Sequence, residues 1–183
     1  MTTTPATIEM IKIIAKALGE LNEQAVFVGG ATVPFYLPDV YQPQARPTED
    51  IDLVMQIIGH NKNALNEAVL RKKGFNHDTS KDAPRCRWAY KDFKVDIMST
   101  DESAQGFTNK WYKEGVEKAI EVISSPVKVK IFSLPYFIAS KIEAFKDRGN
   151  SDYQGSSDME DTISVLEVSP KEMLEDILPS CSA

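Results

Sequence analysis

Histidine and cysteine are scarce in this chain, with two of each among 183 residues. Cys86 and Cys181 stand too far apart in sequence for a disulfide framework or a zinc motif, and both read as plain thiols. His60 and His77 offer too few imidazoles for a zinc site. Any metal must therefore be a hard cation held by carboxylates. Long apolar runs are missing too: none reaches the roughly 18–20 residues that span a bilayer. Met1-Thr2-Thr3-Thr4-Pro5 carries no charged region followed by an apolar one, so it does not read as a secretory signal. The expectation is a soluble, cytoplasmic protein with no membrane partner. An excess of positive charge is also absent, the formal net charge being −6. That argues against a wide nucleic-acid groove, because phosphate neutralisation needs clustered Lys and Arg, and no DNA groove is evident. Lys128 with Lys130, or the Arg71-Lys72-Lys73 run, are the local basic clusters, and each reads first as a solvated face.

What is present is an ordinary globular composition, 42% apolar, with no internal repeat and no low-complexity tract. Thr4-Pro5 reads as a cap followed by Pro at the first helical position, and Ile8, Ile11, Ala15 and Leu18 predict an amphipathic helix over 5–22. Ala25–Val28 is a short buried strand, broken by Gly29-Gly30, with a helix starting over Ala31–Tyr36. Residues 37–49 form a proline-containing loop, and Asp50–Ile57 a second strand. Asn61–Lys73 is a helix stopped by Gly74. Arg85–Tyr90 and Phe93–Met98 are strands joined by the Lys91-Asp92 turn. Residues 101–113 are irregular, and residues 116–123 are open between strand and helix. Val127–Ile131 alternates as a strand, and Pro135 opens a helix through Phe145. Ser157-Asp158-Met159-Glu160 has the form of a capping box opening the next helix, and Ser169-Pro170-Lys171-Glu172 repeats it for a last one. The sum is an α/β (α+β) fold with a mixed sheet flanked by helices. It divides into a core over 1–130 and a C-terminal helical extension over 131–183.

Three carboxylates carry the chemistry. On a strand alternate side chains share a face, so Asp50 and Asp52 point together while Ile51 and Leu53 enter the core. Two adjacent carboxylates repel unless a cation sits between them, and Mg²⁺ commonly binds one or two carboxylates plus substrate phosphates. Exposed, solvated aspartates on an edge strand are the bland alternative. Asp96, in Val95-Asp96-Ile97-Met98, adds a third carboxylate if its strand pairs beside the first. Such a trio can hold two metal ions about 4 Å apart and deprotonate a hydroxyl. Upstream, Gly29 and Gly30 let the backbone approach a ligand closely, and the N–H groups of a following helix favour phosphate oxygens. For Arg46 and Thr48 two roles are open: Thr48 fixes the strand end at Asp50, or Arg46 grips a phosphate. Trp88, on a strand, reads as core. Trp111 stands at a site edge where a base can stack, and Lys110 reads as solvated.

These segments resemble a known superfamily. Phe27-Val28-Gly29-Gly30 followed by Arg46-Pro47-Thr48-Glu49-Asp50-Ile51-Asp52-Leu53 is similar to the polymerase-β-like nucleotidyltransferases, and more narrowly to the AbiEii-type group, many of whose members are toxins of type IV toxin–antitoxin systems. Cys86-Arg87-Trp88, Val95–Met98, Gly106–Tyr112 and Lys141–Asp161 fit the same group, so the resemblance spans about residues 25–168. It implies a minimal nucleotidyltransferase fold. It also implies Mg²⁺-dependent (or Mn²⁺-dependent) transfer of a nucleoside monophosphate from an NTP to a hydroxyl. The acceptor is an RNA end such as a tRNA, a protein or a small molecule, and the partner a cognate antitoxin. By match to the motifs, Asp50, Asp52 and Asp96 are metal ligands, with Asp96 the third, proton-accepting carboxylate. Gly29, Gly30 and Thr32 contact phosphates, and Lys141 faces the triphosphate. Arg148 and Asp158 are further nucleotide-site residues. The serine that often follows the first glycine in the family is Gly30 here. Two other classes fit the residues: a nucleotide-binding module without turnover, and an interaction subunit acting by contact alone.

Overall fold

The structure is a computed structural model that describes residues 6–55, 67–100, 109–148 and 152–169. Seven strands form one mixed sheet: β1 (Ala25–Val28), β2 (Asp50–Met55), β3 (Asn76–His77), β4 (Arg87–Tyr90), β5 (Phe93–Ser99), β6 (Ile120–Ser124) and β7 (Val127–Ile131). Their spatial order is β3-β4-β5-β2-β1-β7-β6. Neighbours β1 and β2 run antiparallel, while β2 pairs β5 and β1 pairs β7 in parallel. The β4–β5 hairpin closes through Lys91, which takes a left-handed φ of 53°.

Strand alternation sorts the apolar residues onto two faces. Phe27, Ile51, Leu53, Val95, Ile97, Val129 and Ile131 pack on one face, against Ile11, Ile14 and Leu18 of the Ala6–Leu18 helix. Val26, Val28, Val54 and Met98 pack on the other, against Phe132, Leu134, Phe137, Ile138 and Val165. The last four belong to the helices Leu134–Arg148 and Ser157–Val168. Because Ile51 and Leu53 take the first face, Asp50 and Asp52 turn to the second, under the two C-terminal helices. Asp96 follows, since its neighbours Val95 and Ile97 also belong to the first face.

Among the described residues the expected strands and helices are recovered with shifted ends. The first helix stops at Leu18, where Gly19 turns left-handed at φ 55°, and continues as a 3₁₀ segment to Gln24. The helix expected after Gly30 is a 3₁₀ segment, Gly30–Tyr36, with Pro34 inside it. Proline has no N–H to give an α-helical bond, and the segment stays short and tight. Within the open stretch at 116–123, helix Tyr112–Glu117 ends and β6 begins at Ile120. The cap of the Ser157–Val168 helix is Ser156, whose side chain accepts from the Met159 N–H, one residue ahead of the expected box. Residues 67–72 are helical and Gly74 turns at φ 91°. The Thr4-Pro5 start, the Asn61 cap, most of the 101–113 stretch and the helix after Ser169 lie outside the described residues.

Candidate functional site

Register places one transverse row of side chains across the sheet. Arg87 on β4 lies opposite Asp96 on β5, Asp96 opposite Asp52 on β2, and Asp52 opposite Val28 on β1. Asp50 and Asp52 are half-buried and Asp96 is buried at 9% exposure, over a floor of fully buried Ile51 and Leu53. The Arg87 guanidinium joins two of the acids. Its Nε and Nη2 donate to Asp96 Oδ1 and Oδ2 at 2.8 and 2.7 Å, and Nη2 also donates to Asp50 Oδ2 at 3.2 Å. This fork is the bidentate geometry in which arginine binds carboxylates most strongly. The hydrogen bond to Asp96 raises the Arg87 pKa well above its ordinary range. Next to it, burial pushes the Cys86 thiol up to about 12, with the Asp96 charge adding.

Gly29 seats the second aspartate. Its φ of 73° with ψ −166° is a conformation confined essentially to glycine. A Cβ there would collide with the Asp52 carboxylate. Thr32, fully buried, donates its hydroxyl to the Gly29 carbonyl at 2.8 Å and so ties the turn to itself. Beside the turn lies a cleft of about 100 Å³, lined among the described residues by Gly29, Asp52, Met98, Tyr112, Lys141 and Asp158, with others. Tyr112 bonds Met98 Sδ at 3.2 Å across it.

A second charge cluster stands behind the cleft. Lys141 Nζ donates to Asp158 Oδ1 at 3.1 Å and to Asp161 Oδ2 at 2.7 Å, and the three side chains are 8%, 4% and 2% exposed. Arg46 reaches the same Asp161 through Nε and Nη2, both at 3.3 Å. A Cβ on Gly30 would sit 3.0 Å from Arg46 Nη2 and 3.1 Å from Asp161 Oδ2. A serine there would press on this pair, a physical reason for the second glycine.

The remaining expected residues fall as follows. Thr48 Oγ1 bonds the Asp50 carbonyl at 3.4 Å, so Thr48 holds the strand end while Arg46 holds Asp161. Arg148 ends its helix, and its side chain lies outside the described residues. Trp88 is buried, with His77 stacked on it at 3.8 Å. Lys110 pairs with Glu143 at 3.0 Å and lies over the Trp111 ring. Lys128 and Lys130 pair with Glu121 and Glu23. Two residues of the site were not expected from sequence: Arg87 and Asp161. The hairpin register carried a signal for Arg87, since pairing Tyr90 with Phe93 sets Arg87 opposite Asp96. Asp161 had none, its partner Arg46 being 115 residues away.

Among the described residues, no three His, Cys, Asp or Glu side chains gather in a group able to hold a metal ion. Both Asp96 oxygens are committed to Arg87. Asp50 Oδ1 is buried and, among the described residues, has no hydrogen-bond partner, an acceptor that costs free energy unless something positive meets it. Asp50 and Asp52 are hard oxygen donors on one face, and this pair fits Mg²⁺.

No protein-family model and no curated protein matches the chain. Solved structures do. An antigenic nucleotidyltransferase-like protein from Paracoccidioides brasiliensis is 21% identical, with a TM-score of 0.63, over 96% of this chain and 86% of that one. The solution structure of the antibiotic-resistance factor ANT(2'')-Ia is 14% identical, with a TM-score of 0.60, over 97% and 92% of the two chains. The crystal structure of ANT(2'')-Ia in complex with adenylyl-2''-tobramycin is 17% identical, also with a TM-score of 0.60, over 96% and 97%. The chain therefore has the nucleotidyltransferase-like fold expected from its sequence.

Proposed function

We propose that the protein transfers a nucleoside monophosphate from an NTP to a hydroxyl acceptor. The observation that carries this reading is the cleft in which Gly29, Asp52 and Lys141 converge. It combines a backbone able to approach phosphates, a carboxylate for a metal and a cation for developing charge. Asp50 and Asp52 would hold Mg²⁺ or Mn²⁺, which when bound supplies charge neutralisation on the triphosphate. The acceptor oxygen bonds to the α-phosphorus, the bond from that phosphorus to the β-bridging oxygen breaks, and pyrophosphate leaves. The hydroxyl proton goes to Asp96, whose oxygens carry further lone pairs besides those facing Arg87. An ammonium has three donors. Lys141 gives two to Asp158 and Asp161 and directs the third at phosphate, where its charge offsets the charge developing on the leaving group. Gly30, Arg46 and Thr32 shape the turn.

The finer part of the proposal follows the resemblance to the AbiEii-type group. The chain would act in the cytoplasm as a toxin, restrained by a cognate antitoxin, on an RNA end, a protein or a small molecule. Growth arrest on expression, relieved by Asp52→Asn, is the expected sign. For the chemistry itself, pyrophosphate release is measured with each of the four NTPs, Mg²⁺ and a panel of RNA, protein and polyhydroxyl small-molecule acceptors. Asp52→Asn is expected to lower the rate at least ~100-fold, the scale lost when an electrostatic transition-state contact is removed, with an unchanged melting temperature. Equal rates would overturn the reading.

A second reading is favoured by one observation: the protein's own cations already occupy Asp96, Asp158 and Asp161. A nucleotide-binding module without turnover would keep them there. Calorimetry showing tight NTP binding, with no pyrophosphate from any acceptor, is the outcome that selects it.

A further inference from the structure

We propose that Arg87 takes the place of a second metal ion at Asp96, so that the site holds one divalent cation, on Asp50 and Asp52. The inference rests on the nucleotidyltransferase reading and deepens it. Three carboxylates in a row are the donor set that invites two ions. Here one end of the row is closed by a guanidinium. Arg87 meets both oxygens of Asp96 at 2.8 and 2.7 Å and reaches Asp50 Oδ2 at 3.2 Å. An ion at Asp96 would have to expel a bidentate partner that lies directly opposite on the neighbouring strand and is only 18% exposed.

Charge balance points the same way. Asp50, Asp52 and Asp96 bring three negative charges and Arg87 one positive, leaving a deficit that a single divalent ion cancels. A second ion would leave the row positive before any phosphate arrived, and charges in a half-buried site are compensated closely. Asp50 Oδ1 is buried and, among the described residues, meets no hydrogen-bond partner. It lies on the same strand face as Asp52, where the one ion belongs.

The test is anomalous diffraction at the manganese edge, on crystals of the whole protein soaked with Mn²⁺ and a non-hydrolysable NTP. In the wild type one Mn²⁺ is expected against Asp50 and Asp52, with Arg87 still forked onto Asp96. Two ions, with Arg87 displaced from Asp96, would overturn the proposal and leave the nucleotidyltransferase reading standing. No ion touching any of the three carboxylates would remove the metal reading itself and this inference with it. Arg87→Gln, which keeps a hydrogen-bonding group but loses the charge, is expected to gain a second ion at Asp96. Arg87→Lys is expected to keep the single ion. An Arg87→Gln crystal that still holds one ion would also overturn the proposal, and should that variant not fold, the wild-type ion count decides alone.

Discussion

Two clusters in this protein pair arginine or lysine with aspartates, and they are built differently. In the sheet cluster, Arg87, Asp96 and Asp50 stand on three neighbouring strands, and their side chains are 18%, 12% and 39% exposed. In the helix cluster, Lys141, Asp158 and Asp161 lie between two helices, and none exceeds 8%. Water can reach the first when a partner is removed, whereas in the second a removed partner leaves charge stranded in protein. The sheet cluster therefore tolerates the loss of a partner better than the helix cluster does. The helix cluster fixes the helices Leu134–Arg148 and Ser157–Val168 against the glycine turn, through Arg46 and Asp161.

Lys141→Ala is the substitution that presses hardest on this contrast. It removes the ammonium that Asp158 and Asp161 share, and a loss of about 3–5 kcal/mol is expected, as when one partner of a buried pair is deleted. Urea denaturation reads it directly. Gly29→Ala comes next: the backbone conformation alone costs roughly 1–3 kcal/mol, and the added methyl displaces Asp52, so activity should fall more than stability. Arg87→Gln is expected to cost about 1–2 kcal/mol, within the range for one strong hydrogen-bond partner lost at a half-wet site. If it costs as much as Lys141→Ala in the same denaturant series, the two clusters are equally buried in effect and the contrast fails.

The smallest effect is a slope with pH. Folding holds the Cys86 proton up to about 12, whereas an unfolded thiol ionises near about 8.5. The raised value makes a contribution to stability that is complete below the unfolded pKa and is lost as pH rises through the folded one. Tyr36, also raised by burial, acts with the same sign. The slope of stability between pH 9 and 11 should therefore be less steep in Cys86→Ala than in the wild type, a difference that isolates the thiol. Alkylation at Cys86, read by peptide mass, should be slow in the folded protein at pH 8 beside that in the urea-unfolded chain.

Most of the sheet was legible because its signals are local. Ile51 and Leu53 alternate with the aspartates, and the Lys91-Asp92 turn joins two short β-rich runs, so β2, β4 and β5 could be read within a few residues. The common face of Asp50 and Asp52 came from the same period of two. Pairing was not legible in that way. That β5 lies beside β2, putting Asp96 opposite Asp52, is a choice made by the whole sheet. Arg87 went unread as a site residue because its value depends on that choice. The segment after Gly30 was misread as an ordinary helix, since composition suggests one while Pro34 withholds the N–H. The cap at Ser156 rather than Ser157 reflects two adjacent serines that differ only in backbone geometry, Ser156 being extended at ψ 118°.

The seat of Asp52 on Gly29 bears on how that carboxylate is aimed, because bare main chain at the end of the adjoining strand limits where it can lie. A contact of that kind transmits displacement in both directions. Whatever draws the glycine turn inward carries the acid along, and whatever the acid grasps pulls on the turn. In the proposed reaction, substrate arrival and acid alignment would be a single mechanical event.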